Sequence, residues 1–210
     1  MNEMRLAFLA AAGAARPLLA APEAGDRWLE PSALRELTVG GLAGHLVGSV
    51  VKVEENLDRP VPADEISISA AAYYASVVDT DDISAPVHVG IRQRGEQAGA
   101  MGQAALLDHF DRTLLRQRAR FADETEDRRV KVSDELVMDL DDYLATRIVE
   151  LTLHTDDLCV SVGHELPHLP GTAITIATLI DVARHRHGDV AIIRGLARRE
   201  RDPVGALRVL

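Results

Sequence analysis

His45, Glu150 and His154 are the residues of this 210-residue chain whose types and spacing could do chemistry. Glu150 and His154 stand four apart, so on a helix they share one face and can reach the same ion. His45 belongs to an earlier segment and would supply a third donor. Two neutral imidazoles and one carboxylate fill three positions of a tetrahedral ion. The open fourth position is what separates a reactive metal centre from a structural one. Whether the three side chains meet is therefore the question the fold must answer.

The elements that would carry them are legible. On a helical wheel of residues 140–163, Leu140, Leu144, Ile148, Leu151, Leu158 and Val162 make a broad apolar side. Tyr143, Arg147, Glu150, His154 and Asp157 fall in a wedge of roughly 80° beside it. A solvated helix face scatters its charges, whereas this one files them along the edge of a buried stripe. His45 sits at the edge of another stripe, Val39, Leu42, Leu46, Val50, Val53 and Leu57, in a helix predicted from Thr38 to about Leu57. Gly41, Gly44 and Gly48 share its flank, where they either let a backbone approach closely or leave room for a ligand. Spacing alone leaves two readings open: a metal site, or Glu150 and His154 facing solvent beside Arg147.

The remaining segments read as scaffold. A first helix is expected over Glu3–Leu19, ending near Pro22 and Gly25. Its apolar run from Leu6 to Ala15 superficially resembles a secretion signal. Glu3 in the would-be basic region and the Arg16-Pro17 interruption favour a core helix instead. Further helices are expected over Ser69–Val78 and Pro86–Phe121, the latter open to a break at Gly95, Gly99 or Gly102. An acidic turn, Asp79 to Asp82, separates them. Arg128–Val132 alternates as a short strand or crossover. Asp139 or Asp141 would cap the helix that bears Glu150 and ends at Gly163. Beyond a His/Pro loop, a helix to His187 stops at Gly188, and a short one follows to about Arg199. The fold class expected is all-α, a four-helix core with accessory helices.

Composition narrows the function classes. The chain is 47% apolar and 27% charged, ordinary for a soluble globular protein; with only 3% aromatics, its core must be aliphatic. A net charge of −10 argues against nucleic acid or an anionic membrane as the main partner. The lone Cys159 excludes an internal disulfide and a cysteine zinc cluster, and its wheel position points away from the polar file. The cytoplasm is the expected compartment, and a homodimer the general expectation for such a chain. The basic runs Arg184–His187 and Arg198–Arg201 read as solvated faces or an intersubunit contact. His164 and His168 read as loop.

Two motifs then carry a resemblance. Pro31-Ser32-Ala33-Leu34 followed by Thr38–Leu46 (TVGGLAGHL) resembles the opening motif of the mycothiol-dependent maleylpyruvate isomerase N-terminal domain family, and Trp28 ahead of it also fits. Arg147–Leu158 (RIVELTLHTDDL) is similar to that family's R-x2-E-x3-H-x2-D-L signature. The resemblance spans roughly residues 5–163, and the wider group is the DinB-like superfamily of metal- and thiol-binding bundles.

The resemblance implies a divalent ion, usually zinc, held by His45, Glu150 and His154. It gives Asp157 a supporting position behind a ligand or in helix packing. Arg147 would meet an anionic substrate or neutralise Glu150; both roles stay open. Mycothiol is the implied cosubstrate, its sulfur attacking a small electrophile. Transient addition to a cis double bond gives isomerisation, and lasting addition gives S-transfer. The domain organisation expected is a bundle over 1–163 with a helical extension over 164–210 packed on it. The founding isomerase has a further C-terminal domain, and the 47 residues after Gly163 are too few for one. Maleylpyruvate itself is therefore not the expected substrate. A non-catalytic metal-binding or sensing module is the competing class, and an oxygen-activating iron site on the same three residues is a third.

Overall fold

The computed structural model describes residues 1–77, 82–200 and 203–209. Its helices are α1 (Glu3–Leu19), α2 (Pro22–Asp26), α3 (Val39–Asp58), α4 (Ala70–Val77), α5 (Pro86–Gly99), α6 (Gln103–Asp123), α7 (Leu140–Val162), α8 (Thr172–His187), α9 (Asp189–Ala197) and α10 (Val204–Leu207). Strands β1 (Arg129–Lys131) and β2 (Val137–Asp139) lie between α6 and α7.

Four of these helices close a ring: α1 packs on α7, α7 on α3, α3 on α6, and α6 back on α1. The all-α four-helix expectation is thus met. The core follows the predicted stripes. Leu42, Leu46, Val50 and Val53 of α3 face Leu144, Ile148, Leu151 and Leu158 of α7 in one cluster, with Phe8, Phe110 and Phe121. No helix among the described residues is long and apolar enough to cross a membrane.

The ends of the ligand-bearing helices have local causes. Thr38 accepts a hydrogen bond from the Gly41 amide at 2.9 Å and starts α3. Glu96 of α5 reinforces that start by accepting from the Thr38 amide at 2.7 Å and its hydroxyl at 2.9 Å. Gly163, with φ 71°, takes the left-handed conformation that terminates α7.

The glycines on α3 are resolved in favour of close approach. A Cβ on Gly44 would collide with the Gly95 carbonyl oxygen, and one on Gly99 with that of Gly40. Gly95 itself lies so near that its Cβ would fall 2.7 Å from the Gly41 oxygen and 3.2 Å from the His45 Cβ. The backbone of α5 therefore rides directly on α3 beneath His45. Gly48 differs, with nothing within 4 Å of its added methyl. Gly44→Ala should consequently cost about 1–3 kcal/mol, because backbone meets backbone and neither can yield cheaply. Gly48→Ala should gain about 0.5–1 kcal/mol from helix propensity. Urea unfolding of the two variants measures both signs.

Several expectations are refined. The long Pro86–Phe121 pattern breaks at residues 100–102, where Gly102 has φ 81°. Arg128–Val132 does contribute a strand, but its antiparallel partner β2 was not foreseen. Three-residue strands are too short for alternation to announce. Asp139 occupies the N-cap position of α7, yet its carboxylate accepts from the Ser67 hydroxyl at 2.8 Å instead of capping. Asp141 is likewise engaged elsewhere, accepting from Asn2 at 2.6 Å and facing Arg5. The Asp79–Asp81 turn and Val78 lie outside the described residues.

Beyond α7, helix α8 packs on α7 and α4, with α9 and α10 against it. Val182, Ala183, Ile192 and Val209 form a second small core there with Tyr74 and Val149. Arg184 of the basic run pairs with Asp181 and Asp189 on the surface. Arg186 donates to the Tyr74 carbonyl at 3.1 Å, tying α8 to α4.

Candidate metal centre

α3 and α7 cross so that the apolar stripes meet and the polar edges lie side by side. His45 thereby reaches the Glu150 and His154 pair. Nε2 of His45 lies 3.4 Å from Glu150 Oε2, and Nε2 of His154 lies 3.2 Å from the same oxygen. The two imidazole rings meet edge to face, 4.5 Å between centres and 71° between planes. One donor atom from each residue lies within 4.8 Å of the others.

These distances test whether a metal ion fits. Zinc bonds to nitrogen and carboxylate oxygen of 2.0–2.2 Å place tetrahedral ligands about 3.3–3.6 Å apart. The two nitrogen–oxygen edges are 3.2 and 3.4 Å. The donor set fits an ion in size and chemistry. The His45, Glu150 and His154 side chains keep 22, 18 and 15% of their surface exposed, so the cluster is partly open to solvent.

Neighbouring groups fix the donors. Asp157 Oδ2 lies 3.0 Å from His154 Nδ1, which assigns that nitrogen the proton and leaves Nε2 to face the cluster. Tyr74 of α4 has its hydroxyl 3.0 Å from Glu150 Oε1 and 3.0 Å from the Thr146 carbonyl. Oε1 is thereby held on the tyrosine side while Oε2 turns to both imidazoles. Burial pushes the Glu150 carboxyl up, but its bonds to His154 and His45 and the charge of Arg147 outweigh this and hold it well below the ordinary range. Burial lowers His45. It opposes charge on His154 too, yet Asp157 and Glu150 prevail and hold that imidazole at about 9.

The other sequence candidates separate clearly. Arg147 does lie on the same file, its guanidinium carbon 5.1 Å from the Tyr143 ring centre and 5.9 Å from that of Tyr73. It makes no ion pair with Glu150 and acts on that carboxylate through its charge, without contact. Cys159 is buried away from the cluster, its sulfur 3.7 Å from the Glu165 carbonyl. His164 bonds its own loop at Glu165.

The family model described as mycothiol maleylpyruvate isomerase N-terminal domain matches residues 8–159, a span that contains the whole donor cluster. The chain belongs to this family. Neither a curated protein nor a solved structure matches it. As a member of the mycothiol maleylpyruvate isomerase N-terminal domain family, it has the DinB-like helical fold.

In this family member, sequence reasoning missed Tyr74, Tyr73 and Asn56. Asn56 donates to the Tyr143 hydroxyl at 2.9 Å, bracing the ring under Arg147. The paired tyrosines of α4 were visible as residues, but nothing in a short Ala-rich helix says which neighbour its aromatics will face.

The protonation states give a measurable consequence. Near pH 7 the cluster holds a proton on His154, whose pKa is about 9, while burial keeps His45 neutral. An ion entering must displace the His154 proton. Zinc titration in buffers of different ionisation enthalpy should read about one proton released per ion near pH 7. Release should fall towards zero above pH 9, where the proton has already left. Apparent affinity accordingly climbs with pH up to that point and levels off.

Proposed function

We propose that the chain is a divalent-metal-dependent enzyme that uses mycothiol, or another low-molecular-weight thiol, as an S-transferase or isomerase acting on a small electrophile. The observation that carries this reading is the convergence of two imidazole Nε2 atoms on one glutamate oxygen at the solvent edge of the bundle. Family membership supplies the thiol.

His45, Glu150 and His154 would hold the ion, and zinc matches the donor types and edge lengths. A divalent ion there lowers the pKa of an approaching thiol and so makes thiolate available at neutral pH. Asp157 keeps the Nδ1 proton of His154 in place, so Nε2 remains the donor. Tyr74 keeps Glu150 from rotating its second oxygen away. The thiolate then forms an S–C bond with the electrophile. In transfer, the electron pair of the broken bond leaves with a leaving group, or an added proton ends on carbon. In isomerisation the same S–C bond breaks again after rotation, returning the thiol unchanged.

We further propose that residues 1–163 are the metal-binding unit and 164–210 an extension that supports it through α4, with the cytoplasm as the site of action.

The test combines metal content with turnover. Zinc-loaded protein should consume a small electrophile only when mycothiol is added, and chelation should remove that activity. Stoichiometric zinc without turnover over a panel of electrophiles would transfer the assignment to a non-catalytic metal-binding module. Failure to take up zinc, or any other divalent ion, would reject the metal site altogether.

A further inference from the structure

Arg147 is a cation held beside the candidate centre with no carboxylate in contact, although the Glu150 carboxylate feels its charge. It leaves α7 three residues before Glu150, and the rings of Tyr143 and Tyr73 flank its guanidinium carbon at 5.1 and 5.9 Å. Its hydrogen bond runs from Nε to the Thr146 hydroxyl at 3.0 Å. Among the described residues, no acceptor meets either terminal nitrogen, and no carboxylate forms an ion pair with it. Those nitrogens are also not sealed from solvent.

Other recessed arginines of the chain are treated differently. Arg5 donates to the carbonyls of Glu124 and Phe121 at 2.6 and 3.4 Å. Arg120 meets Glu124, Asp58 and the Leu57 carbonyl, and Arg92 meets Glu36. The carboxylate one turn along α7 and the one beyond the ligand histidine are already engaged. Glu150 offers Oε1 to Tyr74 and Oε2 to both imidazoles, and Asp157 faces His154.

A guanidinium whose terminal nitrogens reach solvent but meet no protein acceptor keeps those donors available to an anion that enters. Aromatic faces hold such a cation without consuming its N–H donors, which leaves the planar fork free for a planar oxyanion. Asn56 fixes the Tyr143 hydroxyl, so the clamp is built rather than incidental. We propose that Arg147, clamped by Tyr73 and Tyr143, is an oxyanion subsite that binds the carboxylate, or an equivalent planar anionic group, of the electrophilic substrate. The owner of the anion rests on the function proposed above; the anion site itself does not.

The experiment uses benzoate and its neutral isostere benzamide as probes, by calorimetric titration of the full chain with and without zinc. Metal-free protein is expected to bind benzoate at least tenfold more tightly than benzamide. Arg147→Met should lose that preference without any loss of zinc affinity. Arg147→Lys, which keeps the charge but not the fork, should weaken benzoate severalfold. With a thiol present, KM for an acid electrophile should rise in Arg147→Met, and KM for its amide should not.

Equal binding of benzamide by the wild type, or undiminished benzoate affinity in Arg147→Met, overturns the subsite. If Arg147→Met does not fold by circular dichroism, an unchanged benzoate affinity in Arg147→Lys overturns it instead. The metal-free arm decides the subsite even where zinc uptake fails, and that failure would count against the metal reading alone.

Discussion

His154→Ala is expected to lower zinc affinity by roughly a thousandfold, as measured by competition with a chromophoric chelator. A complete zinc ligand set contributes about 10–16 kcal/mol, so one ligand's share is near 3–4 kcal/mol. The loss should not be milder, because the geometry leaves no substitute. Asp157 is committed to the far side of the same imidazole, and no other histidine joins the cluster among the described residues. His45→Ala should match it, since its Nε2 faces the same oxygen from the opposite helix. Asp157→Asn should cost less, about 10–100-fold, because it releases the imidazole without deleting it. A His154→Ala protein that binds zinc as tightly as the wild type would show that the three donors do not act together.

Arg5→Met should be the most damaging single change to stability away from that site, at about 3–5 kcal/mol. Arg5 is 2% exposed in α1, yet it reaches the chain leaving α6. It donates to the carbonyls of Glu124 at 2.6 Å and Thr125 at 2.5 Å. Its Nε faces Asp141 of α7 at 3.6 Å. One guanidinium therefore joins three of the four ring helices at one end. Methionine fills the space but leaves the carbonyls without their donor and Asp141 without its neighbouring cation, and that desolvation is what costs. Thermal unfolding of a chain this size should shift down by about 10 °C. A shift below 3 °C would mean that solvent replaces the guanidinium freely.

The sequence read well where a period or a terminator dominates. α3 showed an unbroken apolar stripe between Thr38 and Pro60, and α7 showed one ending at Gly163; both lie where those signals put them. The file of Arg147, Glu150, His154 and Asp157 was likewise visible on the wheel, because helical geometry alone sets it. What stayed hidden needed partners from elsewhere in the chain. Asp139 and Asp141 looked like caps because a single sequence cannot show Ser67, Asn2 and Arg5 arriving to claim them. Tyr74 was invisible as a support for Glu150, since the contact joins residues 76 apart. The role of the α3 glycines was undecidable until α5 appeared with glycines of its own. Arg147 left two readings open, and its lack of an ion pair with Glu150 is a fact only coordinates hold.

The two helices that converge on the cluster are far apart in the chain, with α4, α5, α6 and the hairpin strung between them. An ion gripped by His45 and by the α7 pair would act as a removable stitch, closing a loop of about a hundred residues. Everything inside that loop would share in the stitch's hold. Loading would then quiet the slow opening of α4 and α5, elements that touch no ligand to the ion except through Tyr74 and Gly95. Metal supply would thus govern how long this protein survives proteases.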